Sequence, residues 1–129
     1  MNTFDNLKQY IIGLLEAIDE LTKVRNNSLP TEGQNVASVR IIVKDAQYSL
    51  KGTLLFGEYL CSVLIRGNDV GNETDQLVDT VIDELGVIQN HLFTSGERLV
   101  VGTQPTTQYI GQDEQGNYIH NIDVLCNVG

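Results

Sequence analysis

Two histidines, two cysteines and a cluster of carboxylates are the side chains of this sequence that could do chemistry. His120 stands in "YIHNIDVLCNV". An extended chain alternates its faces, so Tyr118, His120, Ile122, Val124, Cys126 and Val128 share one face. Ile119, Asn121, Asp123, Leu125 and Asn127 share the other. His120 and Asp123 therefore cannot form a local acid–base pair. His91 falls in a different segment, toward the end of an expected helix, where an imidazole suits the negative C-terminus. No nucleophile with its base, carboxylate dyad or metal shell is spelled out, and no catalytic, cofactor or metal site is expected.

Two loops resemble ligand loops only in part. "GNDVGNET" sets glycines before a helix but lacks the Gly–Lys–Ser/Thr ending that cradles phosphate. "DEQGN" lacks the alternating oxygen ligands and distal Glu of a calcium loop, and reads as a hairpin turn. Cys61 and Cys126 each sit in an apolar strand pattern and read as buried free thiols, with a bridge between them as the lesser alternative.

The acids of "ETDQLVDTVIDEL" form a pattern. Asp75, Asp79 and Asp83 recur at i, i+4 and i+8, which lines three carboxylates along one helical stripe. Glu73 and Glu84 flank them, and no Lys or Arg occurs between residues 67 and 97. Either the stripe is a solvated face whose charge suits the helix start, or it is a negative wall facing a polyanion without holding it.

The elements that must position these groups follow from periodicity. Phe4, Leu7, Ile11, Leu14, Ile18 and Leu21 recur at spacings of three and four, predicting an amphipathic helix over about 4–24. "NVASVRIIV", "KDAQYSLKGTLLF" and "EYLCSVLIRG" then read as β, with "KD" and "LKG" as turns and Gly57 as a bulge. The last of these is apolar on both faces and reads as a central or doubly covered strand. Leu77, Val78, Val81, Ile82, Leu85 and Ile88 form the face of a second helix, capped by Asn72 or Thr74. Gly86 ends it or weakens a continuation through "VIQNHLF". "RLVVGTQ", "TTQYIGQ" and the terminal strand close the chain. The expected fold is α+β: two helices packed on an antiparallel or mixed sheet, in the order α-β-β-β-α-β-β-β. At 129 residues, one domain over 1–129 is expected.

Composition narrows the function. The net charge is −9, from 17 acids against 8 bases. Such a surface repels phosphate, so neither specific nucleic-acid binding nor docking on an anionic membrane is expected. "MNTFDNLKQY" carries no basic-then-apolar leader, so cytosol-like conditions are expected.

The whole pattern resembles the tail-terminator (tail-completion) proteins of long-tailed bacteriophages. The resemblance lies in the opening helix "FDNLKQYIIGLLEAIDEL", the strand pair "VASVRIIVKDAQYSLKGTLLFGEYLCSVLIRG", the acidic helix "ETDQLVDTVIDEL" and the closing "YIGQDEQGNYIHNIDVLCNV". It is one of order, length and texture over nearly the whole chain. It implies a non-enzymatic virion protein, assembled in the bacterial cytoplasm and placed in the tail and neck. A homohexameric ring would cap the tail tube, stop its growth and meet a head-completion or connector protein. DNA would pass through without being bound.

On that reading Asp75, Asp79, Asp83, Glu73 and Glu84 are candidates for the channel wall, with "KDAQYSLKG" and "QDEQGN" as the alternative lining. The strand of Tyr118, His120, Ile122, Val124, Cys126 and Val128 is a candidate subunit-interface strand, or else pairs at home and pins the sheet. Three alternatives stay open: another head–tail joining protein, a tail-tube subunit, or a small-ligand or enzymatic α+β domain using His91, His120 and Asp123.

Overall fold

The helical rhythm of the first segment loses its hydrogen bonds before it loses its apolar residues. In the computed structural model, which describes residues 3–52, 54–86, 91–93, 96, 98–101 and 105–129, helix α1 spans Thr3–Glu16. Two tighter turns follow, Ile18 N–H to Leu15 O and Leu21 N–H to Ile18 O, at 3.0 and 3.2 Å. Such i→i+3 turns keep a three-residue spacing, so Ile18 and Leu21 are buried as expected but lie outside the helix. The expected helix end at residue 24 is therefore corrected: Lys23–Asn26 is strand β1. It runs parallel to β2 (Val36–Tyr48), with Lys23 opposite Val36 and Asn26 opposite Val39. The connecting loop returns the chain through left-handed Asn27 (φ 73°) and Asn35 (φ 56°), a conformation Asn tolerates better than most residues.

β2 pairs antiparallel with β3 (Leu54–Arg66). The expected "KD" turn is instead a bulge inside β2: Val43 faces Tyr59, Asp45 faces Glu58, and Lys44 is the extra residue. "LKG" does turn the chain, closed by Gly52 N–H to Ser49 O at 2.9 Å. Gly57 is not a bulge, since it pairs in register with Ala46 and Val128. It is small because the Tyr59 ring crosses it; a Cβ there would stand 2.9 Å from Tyr59 Cζ and closer to Cε2. Tyr59 is fully buried and cannot swing away. Gly57→Ala is expected to destabilise by about 1–3 kcal/mol. Gly13→Ala, where a Cβ meets nothing within 4 Å of the helix surface, is expected to stabilise slightly. Urea unfolding of the two variants side by side checks both signs.

Helix α2 (Gly71–Gly86) buries Leu77, Val78, Val81 and Leu85. Ile88 and the continuation through 87–90 lie outside the described residues, and the helix does not reach His91, which opens the short strand β4 (His91–Leu92). The organising side chain at its start is Asn68, not Asn72. Asn68 Oδ1 accepts from Val70 N–H at 2.8 Å, and Asn68 Nδ2 donates to Glu73 Oε2 at 2.6 Å. The expected Thr74 takes part: its hydroxyl accepts from Asn68 N–H and lies 3.2 Å from Asn68 O.

Strands β5 (Arg98–Val101), β6 (Thr106–Gln112) and β7 (Tyr118–Val128) complete a mixed sheet of order β1-β2-β3-β7-β5-β4, with β6 also paired to β7. The fold is α+β as expected, with four strands rather than three after α2 among the described residues. β3 is central, between β2 and β7. Both helices cover one sheet face, where Leu7, Ile11, Leu15, Val81 and Leu85 meet Val39, Cys61, Val63, Ile122 and Val124 in one core. The opposite face is half exposed along Leu60, Ser62, Leu64, Asn121 and Asp123.

Candidate assembly surface

The terminal strand keeps the alternation of its sequence and buries one side of it. Ile122, Val124, Cys126 and Val128 are fully buried, and Tyr118 and His120 are half buried beside them. β7 is hydrogen-bonded to β3 along 119–128 on one side, and to β6 and β5 on the other. Of the two options left open by the sequence, β7 takes the second: it pairs at home and pins the sheet. Its candidate interface residues face the core of their own chain.

The expected acidic stripe is on the surface. Asp75, Asp79, Asp83 and Glu73 are exposed and Glu84 is half exposed. Asp75 lies 3.8 Å from His120 Nε2, and Glu73 holds the Asn68 amide. Asp79 has a carboxylate four residues away on either side, so it carries both like-charge i,i+4 contacts. Asp79→Asn is expected to stabilise the fold by about 0.4–1 kcal/mol at low salt. The gain should shrink as salt screens the surface charges. Thermal unfolding at two ionic strengths reads both effects.

The groups that might have built a reactive centre stay apart. His91 stacks on Tyr10, with ring centroids 4.1 Å apart, and meets Phe93 edge-on at 4.9 Å. His120 lies against Tyr109 on the helix-covered face, while Asp123 on the opposite face accepts from Asn121 Nδ2 at 3.0 Å. Asn121 Oδ1 in turn accepts from Ser62 at 2.8 Å. Cys61 and Cys126 are buried and unbridged. Burial pushes the Cys126 thiol up to about 11 and Cys61 higher still, Cys61 also being raised by Cys126 and Asp123. Among the described residues no group of three His, Cys, Asp or Glu side chains could hold a metal ion. Among the described residues no helix is long and apolar enough to cross a membrane.

"DEQGN" forms the expected turn, and it is latched. A shallow cleft of about 320 Å³ is lined by Thr31, Glu32, Gly33, Gln34, Arg66, Gln115 and Asn117. Arg66 Nε donates to Gly33 O at 2.9 Å and lies 3.8 Å from Asp113 Oδ2. Asp113 accepts from the backbone N–H groups of Gln115 and Asn117, both at 2.9 Å, and from Asn117 Nδ2 at 3.1 Å. Gln34 Nε2 donates to Asn117 Oδ1 at 2.9 Å, so the 27–35 loop and the β6–β7 turn are clamped together. Burial alone would raise the Asp113 carboxyl. The Asn117 and Gln115 donors and the Arg66 charge outweigh it and hold the group below the ordinary carboxylate range. The sign follows: the latch stabilises above the ordinary Asp pKa of about 3.9 and is lost as pH falls through the lower folded value. Asp113→Asn is therefore expected to flatten the stability difference between neutral pH and pH of about 3, read by urea midpoints.

The feature that sequence reading did not isolate is an arm. β7 ends opposite Gly57, so beyond it β2 and β3 continue only as a two-stranded ribbon tipped by the Ser49–Gly52 turn. Such a ribbon is marginal by itself in water. Tyr48, Leu50, Leu55 and Phe56 are exposed on it, with Leu50 bare at the tip, and Val43 is exposed on β2 just before it. Residues 40–56 carry Arg40, Lys44 and Lys51 against Asp45, a net +2, leaving −11 for the rest of the chain. An apolar ribbon whose one charge is Lys51 thus projects from an acidic body, and the β2 stretch that leads into it adds Arg40 and Lys44 against Asp45.

No family model matches this chain, and no curated protein matches it.

Proposed function

We propose that this is a non-enzymatic structural protein of the tail-terminator kind, whose copies join into a ring. The observation that carries the reading is the arm. A protein that worked as a single chain would gain nothing from bare leucines and aromatics on a ribbon this thin, and contiguous exposed apolar surface marks an interaction site. A positive arm on a negative body fits a different patch of an identical neighbour. That is a heterologous contact, the kind that closes rings or propagates filaments.

The sign of the charge supports the second half of the proposal. A bore that passes DNA should not hold it, and an acidic wall keeps phosphates off. Asp75, Asp79, Asp83 and Glu73 are exposed, Glu84 is half exposed, and all five are available for that wall. Tail-tube and head-completion proteins are the partners this reading requires, in the tail and neck of a virion.

The test is assembly seen by electron microscopy. The purified protein alone should give single rings, and added to polymerising tail tubes it should arrest them. Long tubes formed by the protein itself would make it a tube subunit instead. Particles lacking it should carry overlong tails.

A further inference from the structure

We infer that neighbouring copies join by pairing the open edge of β2, residues 40–48, with the open edge of β6 of the next copy. This rests on the ring reading above and assigns its contact. Among the described residues, β1 covers β2 only as far as Val39, and β6 pairs with β7 alone. The other edges of the sheet are short among the described residues: four residues in β1 and two in β4. The two longer open edges lie toward opposite ends of one sheet, so joining them stacks copies head to tail and uses neither edge twice.

β6 lacks two usual guards of an exposed strand and keeps one, a bulge at Ile110. Natural edges are blunted by charge or proline. Thr106–Gln112 has neither, and it exposes Tyr109 and Ile110. Unpaired N–H and C=O groups beside bare apolar side chains form a template for strand addition.

Charge selects what is added. β2 brings Arg40 and Lys44 to its open edge, with Lys51 at the arm tip. β6 leads directly into Asp113 and Glu114. On its helix side it runs beside α2, because Tyr109 pairs with His120, and His120 lies 3.8 Å from Asp75. Two β2 edges paired antiparallel about Ile42 would set Arg40 of each copy against Lys44 of the other, which disfavours that symmetric pairing. A β2–β6 contact places the same lysine among carboxylates.

The experiment crosslinks one edge to the other. Ile42 pairs with Leu60, which pairs with Leu125, while Gln108 pairs with Asn121, four residues away on the same strand. Ile42 and Gln108 therefore point from the same sheet face, and both are exposed. Ile42→Cys and Gln108→Cys proteins are mixed as dilute monomers, concentrated, and treated with a short bifunctional thiol reagent. The native cysteines are buried and unreactive. A crosslinked dimer is expected in the mixture and from neither variant alone. An assembly by light scattering with no mixed crosslink, or with crosslinks inside either single population, overturns the edge pairing and leaves the ring standing. A monomer at every concentration overturns both.

Discussion

Val124→Asp is expected to leave no cooperatively folded protein. Val124 is fully buried on β7, opposite Cys61 of the central strand and within the core under the helices. An isolated carboxylate there loses its water and finds no partner, a cost of several kcal/mol. Domains of this size have about 5–15 kcal/mol of stability in total. The contrasting variant is Ile110→Asp, on the exposed edge strand, whose unfolding midpoint should move by no more than about 0.5 kcal/mol. Urea denaturation followed by circular dichroism separates them. If β7 presented its side chains to a neighbour, Val124→Asp would fold normally and lose only assembly. A folded Val124→Asp monomer would therefore contradict the placement of β7 in the core.

The opposite split is expected on the arm. Leu50→Ser combined with Leu55→Ser removes two exposed apolar side chains without touching the core. The monomer should unfold at an unchanged midpoint. Assembly should collapse, because truncating an interface anchor typically costs more than about 1 kcal/mol. Two anchors then weaken association by roughly thirtyfold or more. The arm charge should matter in the same direction: Lys44→Glu with Lys51→Glu turns the net +2 of residues 40–56 to −2 and sets acid against acid. Sedimentation of the variants beside the parent reads the loss. An unchanged native mass in both would remove the arm from the interface.

Which parts of this were legible in the sequence follows from what periodicity encodes. The strict alternation of 118–128 identified β7 and separated its two faces, and the 3.6-residue rhythm placed α2 with its carboxylates outward. β1 was hidden because Ile18 and Leu21 keep a spacing of three while the hydrogen bonding switches to short turns. Lys44 read as a turn residue because a bulge also interrupts alternation, and only pairing with β3 distinguishes the two. The latch was invisible: Arg66, Gly33, Asp113 and Asn117 come from three separate segments and have no common spacing. The arm was the costliest omission. Leu55 and Phe56 look like core residues in a window of sequence, and their exposure depends on β7 ending opposite Gly57, far along the chain. Alternation says which way a side chain points, not whether anything stands in front of it. For the same reason the open edges of β2 and β6 could not be told from paired ones.

Native mass measured by light scattering across a wide concentration series tests the central claim most directly. A single plateau at about six subunits is expected, as a closed ring of heterologous contacts requires. A strict monomer up to the highest concentration, with the arm intact, would contradict it.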